Sequence, residues 1–322
     1  MTDARRFDTP TTTSRVAVAQ VTPAASTAAA LETIAEVSAR ARAGGAQLVL
    51  FPEAFVGGYP RGADFGAVVG SRSDAGRDAF QRYWEQAIAV PGAECARLGQ
   101  IATEHALYLV VGVIERDGGT LYCSVVFFSP EGTLMGTHRK LMPTGSERLI
   151  WGFGNGSTMP VFDTPLGKLG AVICWENYMP LLRAAHYAKG IQLWCAPTAD
   201  GRDTWLPTMQ HIAIEGRCFV LSANLFARRC DYPSANGTGV NTDPQEIVCR
   251  GGSCIVDPFG VVLAGPAREG EALLFADIDL HQIVRGKFDF DVTGHYARPD
   301  VFRLLVHEED TAPVRFTDAP LR

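Results

Sequence analysis

Short runs of apolar, largely β-branched residues recur along the chain, and they constrain its fold more than any other feature. Most of them have the pattern of strands with both faces buried, as in the sheets of α/β proteins. The runs span residues 16–21, 48–51, 109–114, 125–128, 171–173, 191–196, 219–223, 253–256 and 273–278. With 47% hydrophobic residues in 322 positions, the chain can bury a large core around these strands.

Segments with helical periodicity lie between several of the predicted strands. They span residues 27–43, 78–89, 93–105, 181–189 and 208–215. Gly44 and Gly190 follow two of these segments, where a helix often ends. Strand and helix alternate in some stretches, and hairpin-like turns join strands in others, so the sequence predicts mixed sheets in an α/β fold.

The chain shows no linker or repeat that would divide it into separate folding units. We expect a polar N-terminal tail over residues 1–14, one domain over residues 15–293 and a C-terminal extension over residues 294–322. Residues 227–252 are rich in Asn, Pro, Gly and Asp, which predicts a long surface loop.

Charge and cysteine content narrow the class of protein. The formal net charge is −6 and no long basic run occurs, which argues against nucleic-acid or membrane-surface partners and favours a small-molecule substrate. No stretch has the length and apolarity of a membrane span, and the N-terminus does not have the pattern of a signal peptide, so we expect a cytoplasmic protein. The eight cysteines include no C-x-x-C pair, which disfavours a zinc ribbon or a disulfide framework.

Three reactive side chains follow predicted strands. Glu53 follows the run at 48–51, Lys140 follows residues 136–139, and Cys174 ends the run at 171–173. Ligands of α/β sheets bind beyond the carboxyl ends of the strands, so these groups are candidates for one site. A thiol attacks as thiolate and therefore requires a base or an electropositive surrounding.

Such a trio suits the addition of sulfur to an unsaturated carbon bonded to nitrogen. Glu53 would be the base, and the Lys140 ammonium would stabilise negative charge that develops on the heteroatom. Taken alone, each residue more often has an ordinary role: a loop carboxylate, a solvated surface cation and a buried thiol. Glu147 could orient Lys140 or pair with a neighbouring arginine, and Tyr59 could line a pocket or simply pack in a turn.

Metal and dinucleotide sites have weaker support. The histidines show neither an H-x-x-x-H nor an H-E-x-x-H pairing, and the cysteines do not cluster, so we expect no metal. Residues 152–156 are rich in glycine but lack the spacing of a dinucleotide-binding loop, and they are expected to form a turn.

Taken together, the motifs resemble the nitrilase branch of the carbon-nitrogen hydrolase superfamily over residues 16–302. The matching blocks are residues 51–60 (FPEAFVGGYP), 138–144 (HRKLMPT), 173–180 (ICWENYMP), 195–201 (CAPTADG) and 294–302 (GHYARPDVF). The resemblance implies an α-β-β-α sandwich in which the C-terminal extension serves assembly. It also implies dimers and larger spiral or helical oligomers.

By this resemblance Glu53 is the general base, Lys140 the cation beside the nitrogen, Cys174 the nucleophile and Glu147 an additional active-site carboxylate. The implied reaction converts an organic nitrile to the carboxylic acid and ammonia through a thioimidate and a thioester on the cysteine, without a cofactor. Five residues in family-like segments are predicted to bind substrate: Tyr59, Trp175, Glu176, Thr198 and Trp205. Arylacetonitriles, arylpropionitriles, β-cyanoalanine and aliphatic nitriles are the candidate substrates.

Three other hypotheses remain. An amidase or carbamoylase of the same superfamily would use the same trio on a carboxamide, although the Cys174-Trp175-Glu176 sequence favours the nitrilase branch. A non-catalytic assembly protein would not need base, cation and thiol together. A redox sensor would need a resolving cysteine, and none lies near Cys174 in the sequence.

Overall fold

The structure is a computed structural model that describes residues 13–232, 243–310 and 314. Most of the predicted N-terminal tail (1–14) lies outside the described residues. So do residues 233–242 of the predicted surface loop and most of the last twelve residues of the predicted C-terminal extension.

One mixed sheet of six strands forms the first half of the core. Its strands are β1 (Ser14–Gln20), β2 (Leu48–Leu50), β3 (Tyr108–Asp117), β4 (Thr120–Phe128), β5 (Leu134–Arg139) and β14 (Ala272–Ile278). Their spatial order is β14-β1-β2-β3-β4-β5. The pairs β1–β2 and β2–β3 are parallel and the others antiparallel, which confirms the prediction of mixed sheets.

A second six-stranded sheet forms the other half. Its strands are β6 (Val161–Phe162), β7 (Leu169–Ala171), β8 (Leu193–Cys195), β9 (Phe219–Ser222), β12 (Cys254–Val256) and β13 (Val262–Ala264), in the spatial order β13-β12-β9-β8-β7-β6. Strands β7, β8 and β9 are parallel. A separate two-stranded ribbon pairs β10 (Phe226–Arg228) with β11 (Ile247–Arg250), so part of the predicted loop at 227–252 is in fact strand.

Six helices occur in the described ranges. They are α1 (Thr27–Ala43), α2 (Asp74–Gln86), α3 (Ala93–His105), α4 (Pro180–Ala188), α5 (Trp205–Gly216) and α6 (His281–Asp289). The Ser26 hydroxyl caps α1 by accepting a hydrogen bond from the backbone N–H of Ala29 at 3.2 Å. The predicted bounds of α1 and α3 agree with the structure, α2 and α5 begin earlier than predicted, and α6 was not predicted.

The two sheets pack face to face, with helices on both outer faces. In β1, Val16 and Val18 belong to the buried cluster between the sheets, whereas Ala17 and Ala19 belong to the cluster that contains α1 and α3 side chains. This separation follows from the alternation of side chains along a strand. The first sheet therefore has helices on one side and the second sheet on the other.

The second sheet repeats this arrangement. Leu193 and Cys195 of β8 pack between the sheets, and Trp194 packs outward against Met209 and Ile212 of α5. The layers are therefore helix, sheet, sheet and helix, which confirms the expected α-β-β-α sandwich.

The C-terminal extension runs over the surface beyond α6. In residues 294–310 the structure shows turns and extended chain, and the Glu308 carboxylate forms an ion pair with Lys189 at the end of α4. Several large apolar side chains of this segment are exposed, among them Phe302 and Leu305. No helix in the described part of the chain is long and apolar enough to cross a bilayer.

Candidate active site

Cys174 lies just beyond β7 of the second sheet. The backbone N–H of Val172 donates to the Cys195 carbonyl at 2.9 Å, and that of Cys174 donates to the Pro197 carbonyl at 2.9 Å, so the chain continues alongside β8 as far as the cysteine. There Cys174 adopts φ +50° and begins a 3-10 turn over Cys174–Tyr178. A non-glycine residue with positive φ is strained, and such conformations cluster at functional sites.

The neighbouring turn holds this strained cysteine in place. The Asn177 amide donates to the carbonyls of Cys174 at 2.8 Å and Val172 at 2.9 Å, and its oxygen accepts the Trp194 indole N–H at 2.8 Å. The Thr198 hydroxyl donates to the Cys174 sulfur at 3.1 Å. Asn177 was not predicted, because an amide in a turn carries no distinguishing signal in the sequence.

Lys140 directly follows β5 of the first sheet and is completely buried. Its ammonium contacts two carboxylates, with Nζ 2.6 Å from Glu53 Oε1 and 2.8 Å from Glu147 Oε2. The ammonium also lies 5.4 Å from the centre of the Trp151 ring. The site thus places one cation between two carboxylates.

Glu53 lies three residues beyond β2 and is completely buried. Besides Lys140, its carboxylate accepts hydrogen bonds from the backbone N–H of Ala199 at 3.1 Å and from the Cys123 thiol at 3.5 Å. The chain at Glu53 also presses against β3 at Gly112, where a Cβ atom would lie 2.2 Å from the Pro52 carbonyl oxygen. Glycine is therefore required for this approach.

Glu147 approaches the ammonium from the other side. It belongs to a 3-10 turn over Gly145–Leu149, and its carboxylate accepts hydrogen bonds from the Thr144 backbone N–H and the Tyr59 hydroxyl, each at 2.7 Å. Tyr59 in turn packs edge-on against Trp151. Four sequence candidates, Glu53, Lys140, Glu147 and Tyr59, thus form one connected polar cluster.

Burial and the neighbouring charges determine the protonation of the three central groups. Burial raises the pKa of Glu53, and the Lys140 ammonium offsets only part of this increase. Burial opposes the charge of Lys140, but attraction to Glu53 and its neighbours outweighs this effect and holds the Lys140 pKa well above its ordinary value. Burial and the charge of Glu53 raise the Cys174 pKa, so the resting cysteine is a thiol.

A cavity of about 450 Å³ opens onto this cluster. Cys174, Glu147 and Tyr59 line it, and so do residues of the ribbon strand β11. The remaining lining residues are Arg61, Thr144, Trp175, Ala199, Asp200, Gly201, Arg202, Ile247, Val248, Cys249 and Arg250. The cavity is of the size that small ligands occupy.

A hydrogen-bonded trio forms one wall of the cavity. The Trp175 indole N–H donates to Asp200 at 2.9 Å, Asp200 accepts from Arg202 Nε at 2.8 Å, and the Arg202 guanidinium lies 4.5 Å from the centre of the Trp175 ring. On another wall, Arg61 donates to the Ala199 carbonyl at 3.0 Å. Asp200, Arg202 and Arg61 were not predicted, because charged residues in loops resemble ordinary surface residues in a sequence.

The other predicted substrate-binding residues have different surroundings. Trp175 lines the cavity. Thr198 does not line it, and its hydroxyl donates a hydrogen bond to the Cys174 sulfur. Trp205 is buried, donates its indole N–H to the Ser222 hydroxyl at 2.8 Å and does not line the cavity. Glu176 is also buried, with its carboxylate bonded to backbone N–H groups. The positions of Trp205 and Glu176 do not support direct contact with substrate, since neither side chain reaches the cavity.

Within residues 13–232, 243–310 and 314 the structure has no group of His, Cys, Asp and Glu side chains arranged to hold a metal ion. Residues 152–155 have no regular secondary structure and lead into a short 3-10 turn at Gly156–Thr158. The glycine-rich segment therefore does not connect a strand to the start of an α-helix as a dinucleotide-binding loop would.

Comparison with known proteins agrees with the fold and with the sequence motifs. A model of the carbon-nitrogen hydrolase family matches residues 15–288, which span both sheets and the whole polar cluster. The chain belongs to the carbon-nitrogen hydrolase family. The solved carbon-nitrogen hydrolase of Helicobacter pylori superposes with a TM-score of 0.71 at 22% identity, covering 90% of this chain and 97% of that one. This likeness supports the α-β-β-α sandwich.

Within the carbon-nitrogen hydrolases, the chain lies in the nitrilase branch. It is 57% identical over 298 residues to a bifunctional nitrilase/nitrile hydratase of Lupinus angustifolius, covering 91% of this chain and 85% of the relative. It is 56% identical over 301 residues to an aliphatic nitrilase of Sinorhizobium fredii, covering 93% and 97%. The predicted resemblance to this branch is confirmed.

Proposed function

We propose that this carbon-nitrogen hydrolase is a nitrilase that converts an organic nitrile to the carboxylic acid and ammonia, with Cys174 as the nucleophile. The observation that carries the proposal is the buried cluster of thiol, ammonium and two carboxylates at the edge of a cavity. High identity to curated nitrilases over most of the chain supports the same reaction.

In the first step, the Cys174 sulfur attacks the nitrile carbon, and one π bond of the C≡N group is broken. Because the resting cysteine is a thiol, a base must accept its proton, and Glu53 has a suitable carboxylate with a raised pKa. The proton is delivered to the nitrile nitrogen, where the Lys140 ammonium stabilises the developing negative charge. The product of this step is a thioimidate.

In the second step, Glu53 activates a water molecule that adds to the thioimidate carbon. The tetrahedral intermediate carries sulfur, hydroxyl and amino groups, and loss of ammonia converts it to a thioester. A second water molecule then hydrolyses the thioester, which releases the carboxylic acid and restores the thiol. Glu147 accepts hydrogen bonds from Lys140 and Tyr59, so it orients the ammonium and adjusts the charge of the site.

The same tetrahedral intermediate offers a second outcome. If the thiolate leaves in place of ammonia, the product is the amide. We propose that this chain also releases some amide, in line with relatives named bifunctional nitrilase/nitrile hydratase.

The test is to measure ammonia release from matched nitriles and amides. Phenylacetonitrile, 3-phenylpropionitrile, β-cyanoalanine and an aliphatic dinitrile are each paired with the corresponding amide, and Cys174→Ala is assayed beside the wild-type protein. We expect ammonia from at least one nitrile and none from the variant. Ammonia from amides alone would move the assignment to the amidase branch, and none from either class would contradict a hydrolytic function.

We also propose self-association into dimers and larger spiral or helical oligomers, in which the C-terminal extension takes part. The exposure of Val301, Phe302 and Leu305 supports this role, because large apolar side chains are usually covered. Replacing Phe302 and Leu305 by serine should reduce the particle mass measured by light scattering. An unchanged mass would exclude these side chains from assembly.

A cytoplasmic location remains part of the proposal. All eight cysteines are free thiols, which suits a reducing compartment. Fractionation of cells that express the protein at its natural level would test it, and recovery outside the cytoplasm would contradict it.

A further inference from the structure

Glu176 is a buried carboxylate two residues beyond Cys174, and it takes no part in the proposed chemical steps. Its Oε1 atom accepts the backbone N–H of Leu141 at 2.6 Å, and its Oε2 atom accepts the backbone N–H of Ile173 at 2.8 Å. Leu141 is the residue after Lys140, and Ile173 is the residue before Cys174. One carboxylate therefore holds the backbone next to the ammonium and the backbone next to the thiol.

The two segments that Glu176 joins come from different sheets. Leu141 follows β5 of the first sheet, and Ile173 follows β7 of the second. A carboxylate that bonds to both is thus a direct link across the sandwich at the point where the reactive groups meet. The distance between the Cys174 sulfur and the Lys140 nitrogen depends on how the two sheets are placed relative to each other.

His138 neutralises the buried carboxylate. Its Nε2 atom lies 3.0 Å from Glu176 Oε2, and its Nδ1 atom lies 2.5 Å from the Thr158 carbonyl oxygen. A carbonyl oxygen only accepts, so Nδ1 carries a proton. Both Glu176 oxygens accept backbone N–H groups and the Glu176 pKa is lowered, so Glu176 is a carboxylate that also only accepts, and Nε2 carries a proton too. His138 is therefore an imidazolium paired with an ionised Glu176.

The titration behaviour of the pair agrees with this assignment. Burial alone would lower the pKa of His138, but Glu176 and the Thr158 carbonyl raise it above its ordinary value. Burial alone would raise the pKa of Glu176, but His138 and the two backbone N–H groups lower it. The other titratable groups near His138 are His186 and Lys189, on and after α4. Lys189 opposes the charge of His138, whereas burial and the charge of His138 lower the pKa of His186 to about 4.

We propose that Glu176, with its charge balanced by His138, is a positioning residue that sets the separation of the Cys174 thiol from the Lys140 ammonium. This inference rests on the proposed function for the identity of the reaction. The hydrogen bonds of Glu176 that carry the inference do not depend on which reaction the protein catalyses. Neither side chain touches the cavity, so the pair acts through the backbone of residues 141 and 173.

Glu176→Gln tests the proposal with the smallest change in shape. An amide has one acceptor oxygen, so it can accept only one of the two backbone N–H groups, and its NH₂ group faces the other. We expect kcat to fall by about 100-fold, as for a displacement of reacting groups by about 1 Å. We expect KM to change by less than about threefold, because the cavity wall is unaltered.

A matched control separates positioning from stability. Glu215 on α5 is also a carboxylate held by several donors, with Oε2 2.7 Å from Arg183 Nε and 2.8 Å from the Tyr187 hydroxyl, and it lies outside the cavity lining. Glu215→Gln should reduce stability without changing kcat per folded protein. If Glu176→Gln does the same, the residue is structural only and the proposal is overturned.

A second measurement does not depend on the reaction. The rate at which iodoacetamide alkylates Cys174, located by peptide mapping, reports on the surroundings of the thiol in the folded protein. We expect Glu176→Gln to change this rate by about tenfold or more, and Glu215→Gln to leave it unchanged. Wild-type protein that releases no ammonia, together with a changed alkylation rate, would refute the proposed function and leave the positioning role intact.

Two milder variants keep the test open if Glu176→Gln does not fold. Glu176→Asp retains the charge but is shorter by one methylene, and His138→Asn can serve only one of the two acceptors that the imidazolium serves now. Each should lower kcat by about tenfold or more with little change in KM. Values of kcat within about threefold of wild type in both folded variants would overturn the proposal.

Discussion

Removal of the buried ammonium should destabilise the protein in a way that depends on pH. In Lys140→Met, the carboxylates of Glu53 and Glu147 lose the cation that lies 2.6 and 2.8 Å from them. Both are almost completely buried, with 0% and 9% of the side chain exposed. Removing one partner of a buried ion pair typically costs about 3–5 kcal/mol, and we expect a loss of that size near neutral pH.

The sign of the pH effect follows from the carboxyl groups that remain. Without Lys140, the pKa of Glu53 rises further above its unfolded value, so the folded state binds more protons than the unfolded state at pH values between the two. Stability of the variant should therefore increase as pH falls through the raised folded-state pKa of Glu53, by up to about 1.4 kcal/mol per pH unit for each proton bound. The wild-type protein should show a smaller increase, since the Lys140 ammonium offsets part of the rise that burial causes in the Glu53 pKa.

Urea unfolding followed by tryptophan fluorescence at about pH 8 and about pH 6 measures both effects. Lys168→Met is the matched control, because Lys168 forms a solvent-exposed pair with Asp163 and should contribute only about 0–1 kcal/mol at either pH. A loss below about 1 kcal/mol in Lys140→Met, or a loss that is the same at both pH values, would show that water reaches the carboxylates and would refute the argument.

Three further predictions concern individual contacts. In Thr198→Val, the Cys174 sulfur loses a hydrogen bond that lowers the thiol pKa, so alkylation by iodoacetamide near pH 8 should slow by about tenfold for each unit of pKa increase. In Trp205→Phe, loss of a buried hydrogen bond should reduce the free energy of unfolding by about 1–3 kcal/mol and leave KM unchanged, as urea unfolding and steady-state kinetics would show. The folded-state pKa of His138 is raised, because Glu176 and a backbone carbonyl outweigh the effect of burial. Its contribution to stability should therefore be complete below the unfolded pKa of about 6.5 and be lost as pH rises through the folded value, and unfolding at a series of pH values would measure it.

Each of these has an outcome that would contradict it. Unchanged alkylation in Thr198→Val would mean that the threonine hydroxyl does not act on the sulfur. A large increase in KM for Trp205→Phe would place that indole in the substrate path. If His138→Asn loses stability equally at about pH 6 and about pH 9, the imidazolium is not the stabilising form.

Much of the sandwich could be predicted because its strands are buried on both faces and therefore form short apolar runs. Helix α6 was missed because it is short and mostly exposed, with only Ile283 and Gly286 buried, so it has little apolar periodicity. Strand β11 was missed because it follows a polar, loop-like stretch and pairs only with β10 in a ribbon.

Less of the polar cluster than of the fold could be predicted from the sequence. Glu53, Lys140 and Cys174 each follow a strand, and strand ends meet at one edge of a sandwich, so their convergence could be expected. The roles of Glu176 and Trp205 could not, because they depend on contacts with residues distant in the chain. Glu176 reaches Leu141, 35 residues away, and Trp205 reaches Ser222 on β9.

Several cysteines near the cluster make the identity of the nucleophile the central question. Cys123 donates to Glu53, and Cys249 lines the same cavity as Cys174. Among the eight cysteines, only Cys174 combines a strained backbone beyond a strand end with a place in the cavity lining. Its covalent intermediate should therefore be the one that accumulates when hydrolysis is slowed.

The most direct measurement is mass spectrometry of Glu53→Gln protein, quenched in acid after incubation with a nitrile that the wild-type protein hydrolyses. Glu53 also accepts the thiol proton, so the adduct should form more slowly in this variant and needs a long incubation, but without the carboxylate that activates water the thioimidate or thioester should persist once it has formed. We predict a mass increase equal to that of the substrate for the thioimidate, or to that of the substrate plus water minus ammonia for the thioester, located by peptide mapping on Cys174 and absent from Cys174→Ala. An adduct on Cys123 or Cys249, or an adduct that survives in Cys174→Ala, would contradict the account.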